Sequence, residues 1–142
     1  MYCLVYMSRP TREMSGDETE DLLRRAKNNN DRNGITGILI HDRRRNYQYL
    51  EGGEAEVEAT FARIATDRRH QAIIRLKSGT IGRRQFPEWA MASKTVAANE
   101  SLRDSVERLV RHCDEQLATE LLNFAEARDR AAANEAARPD NI

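Results

Sequence analysis

The chain has 142 residues, 39% of them hydrophobic, which suits one compact domain with a modest core and a short appendage. Its 23 basic and 23 acidic residues cancel, so no net charge draws it toward nucleic acid or an anionic membrane. No stretch approaches the roughly 20 apolar residues of a membrane span, and the apolar start is too short for a signal peptide; a cytoplasmic protein is expected.

The charge is unevenly spread. Residues 1–95 carry 17 basic and 13 acidic side chains, and the remainder carries 6 and 10, giving a basic body and an acidic tail. The two cysteines, Cys3 and Cys113, lack CxxC spacing and a nearby His cluster, and both read as buried or incidental thiols.

Tyr2-Cys3-Leu4-Val5-Tyr6 has the apolar, aromatic and β-branched character of a strand buried on both faces, and Ser8-Arg9-Pro10 ends it. Ser15 with Glu18 three residues on forms a capping box, and Leu22, Leu23 and Ala26 then fall at helical spacing, predicting a helix over 16–29 that stops at Asn28-Asn29-Asn30. Ile35 to Ile40 and Tyr47 to Leu50 are strand-like, joined by the polar turn Asp42-Arg43-Arg44-Arg45-Asn46 into a hairpin. Gly52-Gly53 breaks the second strand, and Val57, Phe61, Ile64 and Ala65 predict a helix over 54–67. Ala72 to Leu76 is the next strand, and Phe86 to Met91 approaches a last one. The order β-α-β-β-α-β-β predicts an α+β sandwich, ferredoxin-like, with both helices on one face of a mixed sheet. From Glu100 an apolar stripe from Leu102 to Phe124 predicts one or two amphipathic helices packed on that sheet. The stripe thins after Ala125, and Pro139 ends any helix, leaving a frayed tail over 136–142.

By themselves Tyr6 and Trp89 read as core aromatics, Gln48 as a hairpin glutamine facing water and the Asn run as a helix stop. Their combination resembles the BLUF domain, the blue-light-sensing module that uses FAD. Tyr6-Met7-Ser8, Asn30 six residues before Thr36, Gln48-Tyr49-Leu50-Glu51-Gly52, Arg63 to His70 and Trp89-Ala90-Met91 carry that resemblance over 1–94. One departure is Asn46, where the family commonly has Phe two residues before the glutamine; it could loosen the apolar shielding of the ring or change dark recovery.

The resemblance implies a flavin-binding domain over 1–95, a helical extension over 96–135, and noncovalent FAD between the two domain helices, with FMN possible in vitro. It implies that Tyr6, Asn29, Asn30, Gln48, Arg63, Asp67, His70 and Met91 contact the flavin. Excited by blue light, the flavin would take an electron and a proton from Tyr6 and leave Gln48 rearranged. Gln48 suits this role because its carbonyl and amide ends can exchange by rotation or be redefined by tautomerisation. Trp89 and Met91 would relay the change to the carboxy-terminal helices, and thence to an unidentified downstream protein or a second copy in a homo-oligomer.

No substrate turnover is expected, since no general acid-base pair is evident. His70 lacks companions at ligand spacing, so no metal site is expected. The three arginines 43–45 lack interleaved aromatics and read as a solvated turn, not a nucleic-acid patch. Two rivals remain: a flavin-free ferredoxin-like interaction module and a small flavin-dependent redox enzyme.

Overall fold

A computed structural model describes residues 1–12, 15–42, 44–88 and 100–137, and the backbone of 92–95. Its contacts divide the chain into two units, Met1–Thr95 and Val96–Ile142.

In the first unit the order is β1 (Tyr2–Pro10), α1 (Gly16–Arg32), β2 (Thr36–His41), β3 (Asn46–Gly52), α2 (Glu54–Ala65), β4 (His70–Thr80) and β5 (Ala92–Thr95). The strands form one sheet in the order β4-β1-β3-β2-β5, antiparallel throughout except for the parallel pair β2–β5. The first four strands and two helices thus make the ferredoxin-like arrangement, and β5 turns the sheet mixed. Register sets the rows across it: Tyr6 lies opposite Gln48, which lies opposite Leu39, and the next row is Leu4, Leu50 and Gly37. Because strand side chains alternate, these rows share one face. Leu4, Tyr6 and Leu50 pack there with Val57 of α2, joined by Phe61 and Ile64.

Gly37 permits the close approach of β2 to β3, since a Cβ there would sit 2.0 Å from the Tyr49 carbonyl oxygen. The capping box at the start of α1 has both arms: Ser15 accepts from the Glu18 N–H, and the Glu18 carboxylate accepts from the Ser15 N–H. The expected stop at Asn28-Asn29-Asn30 is corrected, because α1 runs on to Arg32. The true terminator is Gly34, at φ +65°, and the Asn33 side chain bonds back to the Asn29 carbonyl at 2.8 Å. The second helix ends at Ala65, two residues short of the expected 67, which leaves Asp67 on the following turn.

The strand expected at 72–76 extends over all of His70–Thr80, because β1 offers a partner along its whole length. It gains two extra residues against β1, one between the pairings of Val5 and Tyr6 and one between those of Met7 and Arg9; Ala72, at φ +49°, lies in the second bulge. On this edge strand Ile74 and Leu76 are 53% and 43% exposed. Trp89 and Met91, assigned to the last strand, lie outside the described residues, and β5 starts at Ala92.

The second unit pairs α3 (Leu102–Leu109) with α4 (Glu115–Ala137). Helix α4 includes residues 136 and 137 of the expected frayed tail; 138–142 lie outside the described residues. Ser101 caps α3, and the Asp129 carboxylate of α4 reinforces that cap, accepting from the N–H groups of Leu102 at 2.9 Å and Arg103 at 3.1 Å. One side chain therefore satisfies two of the donors a helix start leaves unpaired. Asp129→Ala is expected to lower the stability of this unit by about 1–2 kcal/mol, read as the denaturant midpoint of its helical circular dichroism. An unchanged midpoint would rule out the cap as a stabilising contact.

Candidate functional site

A cavity of about 620 Å³ lies between α1, α2 and the sheet, within the range of small-molecule sites. Its floor follows from the register: Tyr6, Gln48 and Leu39 form one row, and Asn46 and His41 belong to the next. Helix α1 lends Thr19, Leu22, Leu23, Ala26, Asn29 and Asn30, a stripe at helical spacing. Helix α2, the turn after it and the first residue of β4 lend Thr60, Arg63, Ile64, Asp67, Arg69 and His70. Both helices therefore cover the same sheet face.

Tyr6 and Gln48 are both buried, and Tyr6 Oη donates to Gln48 Oε1. This places the Gln48 carbonyl toward the phenol and its two amide donors on the other arm. Burial pushes the Tyr6 hydroxyl above its ordinary pKa, with Asp67 adding to the shift, so the phenol is held protonated. The Tyr6 ring also packs against Phe61, centroids 5.3 Å apart.

At the α2 end, hydrogen bonds from Arg69 depress Asp67 to a pKa of about 2. His70 Nδ1 lies 2.9 Å from Ser8 Oγ, and its pKa is lowered, chiefly by burial. His41 is lowered for the same reason. Arg63 reaches Thr60 Oγ1 at 3.5 Å. Asn46 Nδ2 meets Ser8 Oγ at 3.5 Å, the outer limit of a hydrogen bond, so the position that departs from the family pattern adds polarity to the cavity wall.

These titrations fix a pH profile. The unfolded chain protonates its histidines near 6.5, while the folded chain holds His70 and His41 lower, so stability is expected to fall as pH drops below about 6.5. Asp67 contributes stability above 3.8 that is lost as pH falls toward 2. Urea midpoints measured from pH 8 to 2 should therefore fall in two stages, and His70→Gln should shrink the first. A flat profile between pH 7.5 and 5 would contradict the histidine assignment.

Seven of the eight residues expected to contact a flavin (Tyr6, Asn29, Asn30, Gln48, Arg63, Asp67 and His70) line this one cavity; the eighth, Met91, lies outside the described residues. Sequence reasoning passed over Arg69, His41 and Asp42, which also line it. Two adjacent arginines, 68 and 69, follow Asp67, and the short Asp67-to-Arg69 return was the signal that could have singled out the second. Arg12, Arg25, Arg63 and Arg69 place cationic groups around the walls, while Leu22, Leu23, Ala26 and Ile64 offer apolar surface. The arrangement suits a flat heteroaromatic ligand with a polar edge and an anionic tail. Among the described residues no group of His, Cys, Asp and Glu could hold a metal ion, and no helix is long and apolar enough to cross a membrane.

Comparison with known proteins agrees. The family model for BLUF, sensors of blue-light using FAD, matches residues 1–92. The chain is 33% identical over 93 residues to the photoactivated adenylate cyclase subunit beta of Euglena gracilis, a match covering 65% of this chain and 11% of that protein. It thus spans about a tenth of the length of the curated relatives it matches. Among solved structures, the dark state of BlrB, a BLUF protein, aligns with a TM-score of 0.69 at 29% identity, covering 89% of this chain and 96% of that one. The photo-activated state of BlsA gives 0.69 at 26% identity, covering 87% and 93%. The matched residues include both sides of the Tyr6–Gln48 pair and the whole cavity wall, and the chain belongs to the BLUF family of blue-light sensors that use FAD.

Proposed function

We propose that the protein is a blue-light photoreceptor in which Tyr6 and Gln48 form the switch, and that it signals by changing shape without turning over a substrate. The observation that carries this reading is the buried hydrogen bond from Tyr6 Oη to Gln48 Oε1 on the floor of a cavity suited to a flavin. When bound, the flavin supplies absorption of blue light and, once excited, an acceptor for an electron and a proton.

Leu22, Leu23, Ala26 and Ile64 would flank the ring and exclude water, Asn29 and Asn30 would meet its polar edge, and the arginines would hold the phosphates. FAD is the expected cofactor, and FMN offers the same ring and one phosphate. Tyr6 is the donor on the floor. A phenol that gives up an electron becomes strongly acidic at Oη, and the group in contact with that proton is Gln48 Oε1. A carboxamide that gains a proton on oxygen and loses one from nitrogen is left as the other tautomer, and rotation exchanges its two ends. The electron and a proton then return to Tyr6, which restores the phenol, and either change leaves Gln48 with a new pattern of donors and acceptors. Trp89 and Met91 would pass it to the last strand, and the helices of the second unit would present it to a downstream protein or a second copy of the chain.

The test is the absorption spectrum of the purified protein before and after a blue pulse. Bound flavin with a red shift that reverses in the dark is expected. Steady NAD(P)H oxidation would favour a redox enzyme, and a colourless protein that takes up no added FAD would favour an interaction module.

A further inference from the structure

The sheet face opposite the cavity carries a polar cluster that the photoswitch does not use. Its centre is Glu51, three residues beyond Gln48 on β3, with 0% of its surface exposed. A buried carboxylate is costly unless donors surround it. Four do. Oε1 accepts from the Tyr49 hydroxyl at 2.9 Å and the Gln85 N–H at 2.7 Å, and Oε2 accepts from the Thr36 hydroxyl at 2.7 Å and the Phe86 N–H at 2.8 Å.

Arg84 extends the cluster, donating to Thr36 Oγ1 at 2.8 Å and to the Gly34 carbonyl at 2.6 Å. The buried Phe86 ring stands edge-on to Tyr49, centroids 5.4 Å apart. One side chain thus gathers β2, β3 and the segment 84–86, which leads into Trp89.

We infer that Glu51 is a positioning residue through which the rearrangement of Gln48 reaches the segment before the last strand. This rests on the photoreceptor reading above. Gln48 and Tyr49 are neighbours on β3 whose side chains point to opposite faces, so Tyr49 brings the strand's motion to the Glu51 carboxylate. β3 is paired to β2 along the whole of Thr36–His41, and their backbones approach at Gly37 too closely to admit a Cβ there. In a close-packed interior such a displacement is passed on, not absorbed. A small carboxylate cannot move with β3 and keep all four donors. Of those donors, only the N–H groups of Gln85 and Phe86 sit on a segment outside the strands, and they are the ones that give.

The experiment follows flavin absorbance and amide exchange at Gln85 and Phe86 by NMR, in the dark and under blue light, on the full flavin-loaded chain. In the wild type, light is expected to speed exchange at both amides about tenfold, the ratio that follows from weakening one charge-assisted hydrogen bond. Glu51→Gln turns an amide nitrogen toward two donors. It should keep the red shift, exchange rapidly even in the dark at whichever of the two amides faces that nitrogen, and respond to light there by less than about twofold. Tyr49→Phe removes one donor and leaves the fold intact, so it decides the matter if Glu51→Gln does not fold; its light response should fall below about threefold.

A wild-type red shift without any change at these amides would overturn the inference, as would a variant with the full light response. A wild type that binds flavin without any red shift would instead sink the photoreceptor reading.

Discussion

In Gln48→Leu the reversible red shift is expected to disappear while the flavin stays bound. Leucine nearly fills the space of glutamine on the cavity floor and supplies neither an acceptor for Tyr6 Oη nor an amide to rearrange. The buried phenol is left without its partner at a cost of about 1–3 kcal/mol. That is less than the roughly 5–15 kcal/mol by which a domain is stable, so the variant folds and its spectrum can be read. Difference spectra before and after a blue pulse are the measurement. A shift of wild-type amplitude in Gln48→Leu would remove the glutamine from the switch.

Leu50→Ala is expected to carry the largest loss of stability, about 2–5 kcal/mol. Leu50 has no exposed surface, lies opposite Leu4 and Gly37, and belongs to the cluster that α2 closes through Val57. Truncation removes its transfer energy and leaves a hole that a sheet paired on both sides cannot close. At about 4–8 °C per kcal/mol for a unit of this size, the melting temperature should fall by at least about 8 °C. Leu50→Met, which keeps the volume, should cost under about 1.5 kcal/mol. A loss below 1 kcal/mol in Leu50→Ala, on the order of a single surface contact, would contradict this account of the core.

Much of this was legible because the signals are local. The capping box, the hairpin turn and the apolar spacing of α1 and α2 are each written within a few residues, and the order of elements follows from them. The end of α1 was misread because asparagine is both a helix terminator and, at Asn30, a buried polar residue facing a cavity; only the positive φ at Gly34 separates the two. The length of β4 was missed because its burial follows a bulged register, which blurs the alternation that identifies a strand. Glu51 was invisible as a centre because three of its four donors, at positions 36, 85 and 86, are distant in sequence. The cavity residues could be listed from resemblance, but the row of Tyr6, Gln48 and Leu39 exists only once three strands are in register.

The two bulges of β4 bear on how the protein behaves when concentrated. An outer strand carrying Ile73, Ile74 and Leu76 is the kind of segment on which foreign chains stack into fibrils, since it presents apolar side chains at the edge of the sheet formed by the described strands. Stacking needs an even ladder. Two extra residues and the left-handed turn of Ala72 break that ladder, so no incoming strand can match more than a few consecutive bonds. The irregularity is therefore expected to keep this edge from seeding aggregation.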